Sequence, residues 1–241
     1  MLARKMIKNF TIYGERCSGV DLLEATMIDN FNLPPTWEYG DKYCFGLDDN
    51  SILKDEGQTL FLSIVRHPYD WLNCLFKRYL ESSNITETKN NLFSGVESLF
   101  NEWGSVVKYI ESKNSIASFL FDSCYCTDYE IPEDLSLKYS KRYANIFDLR
   151  RDKLNYLYYT LSQLTQRYMI IRYEDLYFQE EKVVEEISNR FNLSRNYQNP
   201  IEKEIVKYDD GLVPFAYKIN KSIDWEAEYN YFYTPQRINY Y

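Results

Sequence analysis

Three short stretches of the 241-residue chain hold residues able to do chemistry: GERCSG at 14–19, VRHPYDWLNC at 65–74 and RYEDL at 172–176. In the first, Arg16 supplies a permanent cation and Ser18 a hydroxyl, between Gly14 and Gly19, which permit tight turning and close backbone approach. In the second, Arg66 stands where an apolar run ends, and a guanidinium fork there suits a phosphate or sulfonate. The chemistry such groups share is the binding of anions. The first stretch is not the nucleotide-triphosphatase loop, which needs a lysine and a hydroxyl after its second glycine; here Val20 and Asp21 follow Gly19. By itself, 14–19 reads equally as a structural turn with a solvent-facing Arg16.

The elements that must position these residues follow from periodicity. Phe10, Ile12 and Tyr13 form an apolar run that breaks at Gly14, and Val20, Leu23, Met27, Ile28 and Phe31 then recur at helical spacing. A strand, loop and helix in this order aim backbone N–H groups and a helix N-terminus at one point. TLFLSIVR (59–66) is almost continuously apolar, as a parallel strand covered on both faces must be. His67-Pro68 ends it, and Trp71, Leu72, Leu75, Phe76, Tyr79 and Leu80 predict a helix after it. YMIIRY (168–173) predicts a further buried strand, followed by a helix striped with Val183, Val184, Ile187 and Phe191. Leu154, Leu157, Leu161 and Leu164 mark a helix before that strand, and another strand is expected near Trp37–Tyr39 or Tyr43–Phe45. Alternating strands and helices give an α/β class with a mainly parallel sheet flanked by helices. Ligands of such sheets bind at the carboxyl ends of the strands. A single domain over 1–241 is expected, with a helical and loop insertion at 84–144, a short strand at 119–121 within it, and a C-terminal extension at 196–241.

Composition narrows the function classes. A net charge of -8 argues against general nucleic-acid binding, which needs an excess of Lys and Arg over a face. No apolar run approaches the ~20 residues that span a bilayer, and MLARKMIKNF has no secretory apolar core, so a cytoplasmic protein is expected, or a fragment whose anchor was removed. The five cysteines match no zinc spacing and suit reduced thiols, and a single histidine excludes a His-rich metal site. That histidine, His67, reads best as a turn or cap residue. Glu174 and Asp175 read as helix-capping or arginine-pairing acids; holding Mg²⁺ through Asp175 would need a lysine partner that is missing.

In this order and spacing the three stretches resemble the sulfotransferases that use 3′-phosphoadenosine 5′-phosphosulfate (PAPS), and NIFDLRRDKL (145–154) looks like a segment found in some microbial and viral members. The resemblance covers about 8–190. It implies a P-loop-like sulfotransferase fold. It also implies that Arg16, Cys17, Ser18, Gly19, Val20 and Asp21 hold the 5′-phosphosulfate, that Arg66 pairs with the 3′-phosphate and Cys74 takes a serine's place beside it, and that Tyr173 contacts the adenine. Catalysis would rest on Arg16, which neutralises charge on the leaving phosphate, and on a carboxylate base, Glu38 first and Asp41 second. No metal is implied; the partner is a sulfate acceptor bearing a hydroxyl or amine. The chain departs from the family at Cys17, where a basic residue is usual, at Val20 and Asp21, where hydroxyls are usual, and at Cys74, a weaker donor than serine. Those departures keep a second reading open, a degenerate member that binds a nucleotide or partner without catalysis. A P-loop kinase is third.

Overall fold

Seven consecutive buried residues make Thr59–Val65 (β2) the middle of the sheet, because a strand buried at every position is covered on both faces. The computed structural model describes residues 6–40, 42–44, 47–55, 57–75, 143–196 and 215–235. Among them, β2 lies between Asn9–Gly14 (β1) and Tyr168–Arg172 (β3), all parallel, in the order β1-β2-β3. The register pairs Gly14 with Ile64 and Val65 with Arg172, so the three chemistry-bearing stretches leave the sheet side by side at its carboxyl edge. The α/β class is thus observed, as an open three-stranded parallel sheet with helices.

The described residues fall into two compact units, one made of those within 6–67, 153–196 and 226–233, the other of those within 68–75, 143–152, 215–225 and 234–235. In the first, the two-residue alternation of the strands builds two cores. Phe10 and Ile12, Leu60, Leu62 and Ile64, and Met169 and Ile171 pack with Val20, Leu23 and Met27 of Val20–Phe31 (α1). The same cluster takes in Val183, Val184 and Ile187, on the helix Glu180–Phe191. The alternate residues Tyr13, Phe61, Val65 and Tyr168 pack with Tyr39, Ile52 of Asp49–Lys54 (α2), Leu154, Leu157, Leu161, Tyr231 and Tyr233. Ends are set locally: α1 stops at Asn32, in the left-handed region with φ 50°, and α2 starts at Asp48, whose carboxylate accepts from Asn50 N and Ser51 N.

Three expectations are corrected. The strand sought near 37–39 or 43–45 is a turn over the described residues 37–40 and 42–44. Pro34 O accepts from Phe10 N and Thr36 N donates to Phe10 O, a single bridge at Pro35, after which the chain turns, with Gly40 N donating to Trp37 O. The leucine-striped helix is the second. A helix begins at 68 and is described to 75 (α3), and the next, Ile146–Asn155 (α4), does not continue as a regular helix but passes into π-helical turns over Tyr156–Leu161 and a last turn at Ser162–Leu164. Leu164 is consequently only partly buried. Tyr173, expected as the end of β3, instead opens Tyr173–Phe178 (α5), and Glu180–Phe191 (α6) follows.

In the second unit, Asn145 caps α4 by accepting from Phe147 N and Asp148 N, both at 3.0 Å, and the buried Arg150 lies over the Trp71 ring at 4.7 Å. Ala216–Ser222 (α7) carries the Asn220 carbonyl that accepts from Trp225 Nε1, where Trp225–Tyr229 (α8) begins. The expected 119–121 strand and the 84–142 part of the insertion lie outside the described residues, as do 197–214 and 236–241 of the C-terminal extension. No helix among the described residues is long and apolar enough to cross a membrane.

Candidate functional site

The loop from Glu15 to Gly19 connects β1 to α1 and is held from inside. Ser18 donates through its hydroxyl to Glu15 O at 2.5 Å and through its N–H to the same carbonyl at 3.0 Å. Cys17, buried, takes φ 65°, which turns its carbonyl toward Arg66, whose Nη1 donates to it at 3.2 Å. Gly14 leaves no room for a side chain: a Cβ there would lie 2.6 Å from Ser18 Oγ and 2.7 Å from Ile64 O. Gly19 has φ 100°, and a Cβ on it would collide with the Tyr173 ring.

Arg66 is the residue that ties the three stretches together. It follows the central strand, is buried to 6% exposure, touches the first loop through Cys17 and lays its guanidinium over the Tyr173 ring at 4.2 Å. Next to it, His67 N donates to Glu174 Oε1 at 2.9 Å. Tyr233 donates to Glu174 Oε2 at 2.7 Å and to Val65 O at 3.2 Å, and its ring meets the His67 ring edge-on at 5.3 Å. The histidine thus sits in a turn fastened by its own backbone. Asp175 pairs with Arg172 through two bonds of 2.8 and 2.6 Å, which push the guanidinium pKa further up.

Two cations stand beside the loop on a single aromatic ring. Arg16 lies over Tyr43 at 4.2 Å, and the Lys42 ammonium is 5.4 Å from the same ring. Lys42 also bonds Asp21 at 2.9 Å, which answers the acid that the sequence places after Gly19. Burial draws the Lys42 pKa down, but the hydrogen bond and charge of Asp21, with Glu24, outweigh it, so the net shift is upward. Behind the loop, Glu15 and Lys153 form a buried ion pair at 2.7 Å, at 7% and 2% side-chain exposure, and Lys153 Nζ also donates to Tyr43 O at 2.9 Å.

Of the residues singled out from sequence, the structure brings together Arg16, Cys17, Ser18, Gly19, Arg66 and Tyr173. Val20 is buried in the core, so it offers the site its backbone alone. Glu38 is exposed on the turn after Pro35, and none of the contacts above joins it to the loop. Cys74 lies half-buried on α3, in the second unit. Asp41 lies outside the described residues. Among the described residues, no group of three His, Cys, Asp or Glu side chains is arranged to hold a metal ion. Sequence reasoning missed Lys42, Tyr43, Glu15, Lys153 and Tyr233; the lysine in RRDKL was visible, but nothing local pointed it at residue 15. No known protein family, characterised protein or solved structure matches the chain.

Proposed function

We propose that the carboxyl edge of the sheet binds PAPS and that the protein is a sulfotransferase of P-loop-like fold, acting on a hydroxyl or amine. The observation that carries this reading is Arg66: one buried guanidinium contacts the loop carbonyl of Cys17 and the ring of Tyr173, so the three stretches that resemble the family's donor site are joined at one residue. Arg16 and Lys42, both on Tyr43, supply positive charge beside the loop, and Lys42 offers the cation that Cys17 does not. PAPS supplies the sulfuryl group on a phosphate leaving group. The protein's part is to position that donor and balance its charge, since sulfuryl transfer, like phosphoryl transfer, runs on in-line geometry and electrostatics. The acceptor oxygen or nitrogen attacks sulfur as the bond from sulfur to the bridging phosphate oxygen breaks. The acceptor proton passes to a carboxylate, Glu38 or Asp41. That transfer needs no metal and is expected in a cytoplasmic setting.

A second reading has its own support. Ser18 already donates to Glu15 O, so the loop's one hydroxyl is engaged within the loop and a sulfonate has fewer side-chain donors there than the sequence suggests. That favours a donor-site relative that binds without transferring.

Calorimetric and thermal-shift titration with PAP, against AMP and Mg·ATP, tests both. Ligand at 100 times its Kd adds about 2.7 kcal/mol to stability, a readily measured shift. PAP is expected to bind more tightly than AMP, and Arg66→Ala to abolish that preference. Equal affinity for PAP and AMP, or an unchanged preference in Arg66→Ala, would refute the site. PAP binding without PAPS-dependent labelling of any hydroxyl or amine acceptor would select the second reading.

A further inference from the structure

A concavity lies along the edge that β3 presents among the described strands, with none of Arg16, Cys17, Lys42, Tyr43, Arg66 or Tyr173 in its lining and a volume of about 900 Å³, large among ligand pockets, which span roughly 300–1,000 Å³. All five residues of β3 line it. Side chains of a strand alternate between faces, so only the strand's edge can present every residue in turn. One wall is aromatic and is made by two departures from regular backbone. Tyr158 and Tyr159 project from the π-helical turns, a rare conformation that recurs at functional sites. Phe232 has φ 64° in the turn closing α8, where Phe232 N bonds Tyr229 O and Tyr233 N bonds Glu228 O. Glycine is the residue such helix ends favour. Phenylalanine there is strained, and with the residue 82% exposed little burial offsets the strain.

The aromatic wall is braced: Tyr158 and Tyr159 meet edge-on at 4.9 Å, and Asn230 Nδ2 donates to Tyr159 OH at 3.2 Å. On the opposite wall the cations are engaged within the protein. Arg172 is bound by Asp175, Lys182 bonds Gln179 Oε1 at 2.7 Å, and Arg190 Nη2 donates to Tyr168 O at 3.0 Å. Asp175 and Glu186 on the same lining offset two of these three cations, so the cleft carries little net charge. The Arg190 bond also occupies a carbonyl that an added β-strand would need. What the cleft offers is exposed aromatic faces with neutral phenol and amide groups around them.

We infer that this cleft binds a neutral oligosaccharide. Positively polarised C–H groups of a pyranose stack on the negative faces of aromatic rings, and its hydroxyls both donate to and accept from phenols and amides. The inference does not rest on the donor-site reading. Its test is calorimetric titration of the full chain with maltohexaose, cellohexaose and chitohexaose, with a blocked (Thr-Val)₄ peptide as the strand-forming rival. At least one oligosaccharide binds; Phe232→Gly folds with a raised Tm yet weakens that binding about tenfold, the worth of one good aromatic contact, and Tyr159→Ala weakens it too. Failure of all three sugars, binding of the peptide in their place, or sugar binding unchanged in both variants overturns the inference.

Discussion

Replacing Lys153 by methionine keeps the aliphatic stem and removes the charge that faces Glu15 at 2.7 Å. At that separation and an effective dielectric of ~20, the gross attraction is about 6 kcal/mol, much of it offset by the cost of bringing both groups out of water. The two effects separate on mutation. Lys153→Met leaves a buried carboxylate without its cation and should destabilise by about 3–5 kcal/mol, a large share of the roughly 5–15 kcal/mol that holds a domain. It also strips the Tyr43 carbonyl of a donor. Glu15→Leu combined with Lys153→Met removes both charges and should recover most of the loss, leaving about 1–3 kcal/mol for the orphaned carbonyl. Urea unfolding followed by circular dichroism reads this as a fall in the midpoint at constant slope. If the single variant costs under about 1 kcal/mol, or the double variant is as unstable as the single, the pair is not the buried strut described here. Because Lys153 reaches both the loop and Tyr43, PAP affinity is expected to fall in the single variant even where the protein remains folded.

Gly19→Ala places a Cβ against the Tyr173 ring at φ 100° and should cost about 1–2 kcal/mol from the backbone alone, with more from the collision. Adding Tyr173→Ala relieves only the collision, so a double variant as stable as wild type would refute the backbone part. Alkaline titration of phenolate absorbance should show a resistant class of tyrosines. Burial raises the pKa of Tyr13, Tyr156 and Tyr168 above the ordinary value near 10. The neutral phenol is the form the fold favours, so this contribution is complete below pH ~10 and is lost as pH climbs beyond it, when the unfolded chain ionises first. Normal titration of all 24 tyrosines while the fold persists would contradict that burial.

The strands of this protein were legible because each advertises its own burial. The apolar run at 59–66, the break at Gly14 and the run at 168–173 each place a strand without reference to any other, and β1, β2 and β3 are found there, β3 ending one residue early because Tyr173 opens α5. The glycines of the loop were legible too, since close approach and positive φ leave few alternatives. The turn over the described residues 37–40 and 42–44 was not, because Tyr39 and Tyr43 look like strand residues while the backbone there turns, Gly40 N bonding Trp37 O. Nor were the π-helical turns at 156–161, where the leucine spacing fits a regular helix. Periodicity records which face of an element is buried; it says nothing of what the face is buried against. Sequence alone thus determined a parallel α/β frame with anion-suited residues at strand ends. Only docking of distant segments decided that Arg66 braces Cys17, that Lys42 stands in beside Arg16, and that Lys153 neutralises Glu15, since each pairing joins residues no local rule connects.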